Sequence, residues 1–149
     1  MRAVIQRVNA ASVTVNKEQV AGINKGLVIF LGVVKGDTST DAKNLARRMV
    51  ELRIFADQNR KMNLNVKEAN AQLLVVSEVT LCADVAGGRR PSFDQAALPL
   101  TAEKLYLELI RYLEYSQLNV EQGIFREYMS VHIDNDGPVT FILDSKKEQ

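Results

Sequence analysis

The chain has 149 residues, of which 46% are apolar, and this length fits one domain, residues 1–149, with enough apolar content to fill a core. The net charge of +1 excludes a global field that attracts polyanions, so any nucleic-acid contact must come from a local basic patch. The single cysteine, Cys82, suits a reducing compartment, and the longest apolar stretch, Leu27 to Val34, is too short to span a bilayer, so we expect a cytoplasmic protein with no membrane partner.

The N-terminal part of the sequence has the pattern of a β-sheet. Met1 to Val15 alternates apolar and polar residues, which is typical of a strand and not of a signal peptide, with a bulge expected near 9–11. Gln19 to Ile23 and Gly26 to Val33 are predicted to pair with each other as a hairpin around Asn24-Lys25.

A helix is predicted next, followed by a short strand. Thr38 or Thr40 can cap a helix that runs to about Arg53, because apolar residues recur there at helical spacing. The apolar face consists of Ala42, Leu45, Ala46, Met49 and Leu52. The chain then returns as a short strand, 53–56, and a polar turn, 57–61.

The second half predicts a central strand, a long loop, a second helix and a final hairpin. Gln72 to Leu81 is the predicted strand, and the loop from Cys82 to Leu100 has a length that is usually functional or disordered. The helix is predicted to open at 101–104, and the hairpin to comprise 127–133 and 139–143. Strand pairs separated by two helices indicate an α+β fold with a mostly antiparallel sheet.

Two short segments have the composition of a pocket. Ser77 to Leu81 places hydroxyl-bearing residues at the end of the predicted central strand. Asn135 to Thr140 places Gly137-Pro138 at the mouth of another strand, where a proline is tolerated although it cannot donate to a β-ladder. A rigid turn and a small polar turn are suitable parts for a binding site.

Six short motifs follow one another along the chain: Ala3–Val8, Ala11–Val15, Leu52–Phe55, Lys61–Leu64, Gly88–Phe93 and Asn135–Thr140. In this order and spacing, over residues 1 to about 145, they resemble the motifs of the D-aminoacyl-tRNA deacylases. The resemblance implies a compact α+β unit with a barrel-like sheet and two main helices, which works as a homodimer whose pocket is completed by the other subunit. It also implies hydrolysis of the ester that joins a D-amino acid, or glycine, to the 3′-terminal ribose of tRNA, which serves chiral proofreading in translation.

The sequence departs from the family's pattern at two places near the expected pocket. Where the family usually reads Ser-Gln-Phe-Thr, this chain has Ser77-Glu78-Val79-Thr80, and where a Gly-x-Phe-Gly-Ala-like stretch is usual it has 123–127, Gly-Ile-Phe-Arg-Glu. These departures bear on substrate range and rate more than on the fold.

Ester hydrolysis needs a nucleophile, stabilisation of an oxyanion and proton transfer. Thr80 is the obvious nucleophilic side chain, but a threonine hydroxyl is weak without a neighbouring base. Nothing ties the single histidine, His132, to Thr80, and a Cys82–His132 dyad is disfavoured. The resemblance implies instead that backbone N–H groups around Thr80 hold the carbonyl oxygen while the substrate's 2′-hydroxyl helps to activate water. The implied catalytic segment is Ser77, Glu78, Val79 and Thr80.

The resemblance assigns chiral selection to Gly137 and Pro138. It implies a cis Gly-Pro bond that enters the pocket of the opposite subunit, accepts hydrogen bonds from the substrate's α-ammonium and leaves no room for an L side chain. Steric exclusion by a rigid turn is a sound way to obtain such specificity. Arg7 occupies the family's position for bracing this turn, while a solvent-facing strand charge is the alternative.

The two substituted positions of the catalytic segment carry expectations of their own. In a regular strand Glu78 and Thr80 would share a face about 7 Å apart, where a carboxylate could attract the substrate's ammonium or accept a proton. Val79, smaller than phenylalanine, should loosen the pocket wall and broaden the tolerance for large D side chains.

Three further residues are candidates for contacts with tRNA. Phe125 can stack on the terminal adenine, although an isolated Phe beside a strand is more often part of the core. Arg89 and Arg90 can contact phosphates, or can be a solvated pair in the loop. With one Cys and one His we expect no metal site, and we expect neither a cofactor nor DNA as a partner.

Two alternatives to a tRNA-ester hydrolase remain open at this point. One is an RNA-binding module without turnover, which the two departures from the family pattern leave possible. The other is a small-molecule esterase that uses Thr80 as its nucleophile.

Overall fold

The structure, a computed structural model, describes residues 1–147. These residues form eight strands, two α-helices and one 3₁₀ turn at Val79–Cys82. The strands are β1 (Arg2–Val15), β2 (Glu18–Ile23), β3 (Gly26–Gly32), β4 (Phe55–Ala56), β5 (Met62–Leu64), β6 (Gln72–Ser77), β7 (Val120–Gln122) and β8 (Ser130–Asp144), and the helices are α1 (Ser39–Glu51) and α2 (Pro99–Glu114).

Strand β1 organises the main sheet. It pairs antiparallel with β2, β3 and β8, whereas β3, β6 and β7 run parallel to one another. The six strands form a nearly closed, barrel-like sheet, and β4 and β5 form a separate two-stranded ribbon. The predicted α+β fold with a barrel-like sheet and two main helices is confirmed.

The predicted hairpin around Asn24-Lys25 is wrong. β2 and β3 do not pair with each other; β2 pairs with the C-terminal half of β1 and β3 with its N-terminal half. The tight turn lies instead at Asn16-Lys17, where φ is +49° and +70°. Two successive left-handed residues match the twist of antiparallel strands, and this turn therefore folds 18–32 back along β1.

The predicted final hairpin is also wrong, because one strand, β8, spans both of its arms. β8 follows β1 from Arg2 to Thr14 with interruptions in register. At the largest interruption, Gln6 pairs with Thr140 and Val8 pairs with Asn135. Only Arg7 lies between the two paired residues of β1, whereas residues 136–139 lie between their partners on β8. The turn-like sequence forms a bulge that leaves the strand and returns to it.

The two helices pack against each other and against the sheet, close to the predicted positions. Thr38 is the N-cap of α1, as one of the two predicted caps. The predicted apolar face of α1 is buried from Ala42 to Met49. α2 begins at Pro99, two residues before the predicted start, since proline is well tolerated in the first turn. Within residues 1–147, neither helix is long and apolar enough to cross a membrane.

Candidate active site

A cavity of about 290 Å³ opens at the C-terminal ends of the neighbouring parallel strands β3 and β6. The first turns of α2 and the segment after β7 close its sides. Its lining consists of Leu31, Gly32, Val33, Ser77, Glu78, Val79, Ala97, Pro99, Ala102, Tyr106, Phe125, Arg126 and Glu127. Most of these residues are apolar, so the few polar groups among them stand out as candidates for chemistry.

The edge of the cavity is the 3₁₀ turn, and here the predicted strand to Leu81 is wrong. β6 ends at Ser77, and the Glu78 N–H donates to the Leu31 carbonyl at 2.8 Å before the chain turns. Gly32 permits this close approach, because a Cβ atom there would lie 2.9 Å from Cys82 Sγ and 3.1 Å from the Glu78 carbonyl oxygen. A glycine on the neighbouring strand thus determines where the turn can pack.

The turn exposes two backbone donors beside the cavity. Within residues 1–147, the N–H groups of Val79 and Thr80 have no hydrogen-bond acceptor, as is usual for the first residues of a helical turn. Both residues are exposed, and Val79, with 57% of its surface accessible, lines the cavity. Adjacent unpaired N–H groups can stabilise a developing oxyanion.

The side chains of the turn are arranged differently from a regular strand. Glu78 and Thr80 do not lie in a regular strand as predicted, and the Thr80 hydroxyl donates directly to the Glu78 carboxylate. Thr80 thus contacts the carboxylate that the sequence analysis placed near it as a possible proton acceptor.

Neither the cysteine nor the histidine lines this cavity. Cys82 is buried, its thiol donates to the Val33 carbonyl at 3.3 Å, and burial raises the pKa of the thiol. His132 is exposed on β8 opposite Ser12 and lines a different cavity. Within residues 1–147, no three His, Cys, Asp or Glu side chains are grouped so that they could hold a metal ion.

The β8 bulge holds Gly137 and Pro138 in an exposed, well-braced loop. The peptide bond between them is cis, as the resemblance implied. Asn135 closes the loop with two hydrogen bonds, accepting from Val139 N–H at 3.1 Å and donating to the Val139 carbonyl at 3.3 Å. The bulge does not line the cavity of its own chain.

Arg7 fixes this loop to the neighbouring ribbon. Its Nε atom lies 2.8 Å from Asp136 Oδ2, and its Nη1 donates to the Ile54 carbonyl at 2.5 Å. The Arg7 side chain is only 12% exposed, whereas the Asp136 side chain is 42% exposed, so the pair joins a largely buried guanidinium to a carboxylate at the surface. The solvent-facing alternative for Arg7 is therefore wrong.

The three candidates for tRNA contacts occupy different environments. Phe125 is half-buried; it lines the cavity and packs against Tyr106, with ring centroids 5.6 Å apart. Tyr106 itself is buried and donates its hydroxyl to the Val75 carbonyl at 2.9 Å. Arg89 and Arg90 are exposed in the loop before α2 and do not line the cavity.

Sequence reasoning missed the side of the cavity that α2 supplies. Ala102 and Tyr106 line it one turn apart on the helix. Their i, i+4 spacing and the position of Pro99 after a long loop were visible in the sequence. Arg126 and Glu127, the departures from the family pattern that were expected near the pocket, do line the cavity.

Comparison with known proteins agrees with the geometry. The sequence profile described as D-Tyr-tRNA(Tyr) deacylase matches residues 4–144. The D-aminoacyl-tRNA deacylase of Dictyoglomus turgidum is 51% identical, covering 98% of this chain and 94% of that protein. The protein of the same name from Syntrophotalea carbinolica is also 51% identical, and 99% of each chain is covered.

Two solved structures share the architecture. The "c-Myc DNA Unwinding Element Binding Protein" superposes with a TM-score of 0.93 at 37% identity, covering 99% of this chain and 100% of that one. A second structure, "Structural Analysis of a probable eukaryotic D-amino acid tRNA deacylase", has a TM-score of 0.82 at 15% identity, covers 95% and 97% of the two chains, and supports the fold alone. The chain belongs to the D-Tyr-tRNA(Tyr) deacylase family, and its reaction is the hydrolysis of D-aminoacyl-tRNA.

Proposed function

We propose that the ester of D-aminoacyl-tRNA is hydrolysed at the cavity between β3, β6 and α2, with the 3₁₀ turn as the oxyanion site. The observation that carries this proposal is that the N–H groups of Val79, which lines the cavity, and of the next residue, Thr80, have no hydrogen-bond acceptor among the described residues. Each such donor can lower the barrier by about 3 kcal/mol when it points at the developing oxyanion. Ser77 ends the strand that holds the turn, and Glu78 orients the Thr80 hydroxyl.

The attacking water in this proposal is activated with help from the 2′-hydroxyl of the substrate's own ribose. The described cavity contains neither the histidine nor the cysteine, so an enzyme base of those types is absent from its lining. Most of the transition-state stabilisation then comes from backbone amides and from the nucleic acid. The Thr80 side chain has a supporting role only.

The Gly137-Pro138 loop is the proposed chiral filter, and it acts in the cavity of a second copy of the chain. The loop does not line its own cavity, so it can meet the substrate only if another subunit presents it. Its bracing by Asn135 and Arg7 makes it rigid enough to reject a side chain by steric exclusion. This reasoning makes a homodimer the working unit.

A filter that rejects bulk on one side of the α-carbon admits glycine as well as D-amino acids. We therefore include glycyl-tRNA mischarged on tRNA-Ala among the substrates, in the cytoplasm where translation uses charged tRNA. Phe125 is the proposed stacking partner for the terminal adenine, and Arg89 and Arg90 are proposed phosphate contacts. With a net charge of +1, duplex DNA is not part of the proposal.

The test compares two substitutions at one position. Glu78 has φ −138° and ψ 93°, outside the α region that a following proline disfavours, and proline is well accepted at the first position of a helical turn. Val79→Pro should therefore fold while removing one N–H donor, and its melting temperature checks this. We expect Val79→Pro to lower kcat/KM for D-Tyr-tRNA about 10²- to 10³-fold. The matched control, Val79→Ala, retains the donor and should stay within about tenfold of the wild type.

A second pair of measurements separates backbone from side-chain catalysis. Thr80→Ala retains the N–H and loses the hydroxyl, so most of the activity on D-Tyr-tRNA should remain, and L-Tyr-tRNA should remain intact. Complete loss of activity in Thr80→Ala would assign the chemistry to the hydroxyl. Equal rates for Val79→Pro and Val79→Ala would place the oxyanion site elsewhere.

A further inference from the structure

We propose that Arg126 binds a backbone phosphate of the substrate's 3′-terminal nucleotides and so sets the orientation in which the aminoacyl end enters the cavity. This inference rests on the proposed location of the active site. It adds a residue that positions the substrate, and it leaves the chemistry of ester cleavage unchanged.

The first observation is the backbone of Arg126. Its φ is +66°, in the left-handed region that side chains other than glycine adopt at a cost. Arg126 is exposed, so the packing of a buried side chain does not explain why an arginine occupies this backbone conformation. Five other non-glycine residues among those described, including Lys17, share this region, so the φ value points to Arg126 only together with its place in the cavity lining.

The second observation is the charge distribution of the cavity. Of the described residues that line it, two are acidic, Glu78 and Glu127, and Arg126 is the one cation. Within residues 1–147 the Arg126 side chain has no carboxylate within ion-pair distance. Its guanidinium group is thus available for an external anion.

The third observation is how these charges match the end of the substrate. An aminoacylated RNA end carries an α-ammonium at one side and phosphodiesters at the other. Two carboxylates suit the ammonium but repel the phosphates, and a guanidinium offers the bidentate geometry that phosphate prefers. One orientation of the substrate satisfies both preferences: its ammonium lies near the carboxylates of Glu78 and Glu127, and its phosphate lies at Arg126.

The experiment measures KM and kcat for D-Tyr-tRNA at several salt concentrations in the wild type, Arg126→Gly and Arg126→Lys. Lys17→Gly is the matched control, because Lys17 is an exposed cation with φ +70° in a turn that lines none of the described cavities. Melting temperatures of all variants are recorded, since glycine should relieve the backbone at both positions.

We expect Arg126→Gly to melt at the same temperature as the wild type or higher, and to raise KM about tenfold with little change in kcat. The slope of log KM against log salt concentration should be shallower than that of the wild type by about 0.7, the value for one phosphate contact on a single strand. Arg126→Lys should keep the steeper slope, and Lys17→Gly should behave as the wild type.

An Arg126→Gly variant with the KM and salt slope of Lys17→Gly would overturn the phosphate contact. The Val79→Pro variant separates this failure from a failure of the proposed site. If Val79→Pro loses activity and Arg126→Gly does not change, only the phosphate contact is wrong. If neither variant changes, the cavity is not the active site and both proposals fall.

Discussion

At Thr80, the hydroxyl donates to the carboxylate of Glu78, and through this contact we expect the reaction to be sensitive to the charge of Glu78. A glutamine at this position has a similar shape but no charge. We therefore expect Glu78→Gln to change the shape of the pH–rate profile. The measurement is kcat/KM for D-Tyr-tRNA between about pH 4 and pH 8.

Glu114 provides the control, because it is an exposed carboxylate on α2 that lines none of the described cavities. Glu114→Gln removes the same charge and should keep the wild-type profile shape. Identical profiles for the wild type and Glu78→Gln would show that the Glu78 carboxylate takes no part in the rate.

The family resemblance, more than the residues alone, pointed to the segment that forms one wall of the cavity. Ser77, Glu78 and Val79 line the cavity as a contiguous segment. The turn itself was not predictable, since the apolar run before it has the same appearance whether the strand ends at Ser77 or continues. The room for the turn is left by Gly32, on a different strand, and the periodicity of one segment contains no information about its neighbour.

Among the secondary-structure elements, the start of α1 makes a prediction about stability and pH. The Asp41 carboxylate accepts hydrogen bonds from Thr38 N–H at 2.9 Å and from Lys146 Nζ at 2.8 Å. Burial raises the pKa of Asp41, but the hydrogen bonds from Lys146 and Thr38 outweigh it and hold the pKa well below its usual range. The folded state therefore binds this proton less readily than the unfolded chain.

Asp41→Asn should lower the free energy of unfolding at neutral pH by about 1–2 kcal/mol, because the charge-assisted hydrogen bonds are lost. Because the pKa of Asp41 is lower in the folded state, its ionised carboxylate stabilises the protein at pH values above the unfolded-state pKa, which is about 4. This contribution to the free energy of unfolding fades as the pH falls below that value. The difference between wild type and Asp41→Asn should therefore shrink in acid, as measured by urea unfolding at several pH values.

Glu51→Gln is the matched control on the same helix. Glu51 pairs with Arg47 at 3.3 Å, but both side chains are more than half exposed, so the change should cost less than about 0.5 kcal/mol. A pH-independent difference for Asp41→Asn would contradict the assigned role of its charge.

The strands show where sequence patterns stop being informative. Alternation located β1, β2 and β3 within a few residues, but a strand's pattern does not name its partner. Asn16-Lys17 and Asn24-Lys25 are both polar pairs between apolar runs, and only the three-dimensional pairing shows that the first is the tight turn. In the same way, Asn135 to Thr140 reads as a hairpin turn and is a bulge within β8, because its flanks both pair with β1.

For the molecule as a whole, the central fact is that the braced loop of Gly137 and Pro138 and the cavity are separate features of one chain. If the loop selects the substrate, the selecting group and the catalytic group of each site come from different subunits. A defect in the loop and a defect in the cavity should then be separable by mixing chains.

The final prediction uses this separation. Arg7→Ala removes the brace that holds Asp136 and should allow L-Tyr-tRNA to be hydrolysed, whereas Val79→Pro disables the cavity and leaves the loop intact. When the two variants are unfolded, mixed with Val79→Pro in excess and refolded, most Arg7→Ala chains will have a Val79→Pro partner. Their working cavities then receive an intact loop, and hydrolysis of L-Tyr-tRNA should fall while hydrolysis of D-Tyr-tRNA persists. An excess of the double variant carrying Arg7→Ala and Val79→Pro supplies no intact loop and should leave the L-Tyr-tRNA activity high. If both mixtures behave alike, each chain filters its own substrate and the shared pocket is wrong.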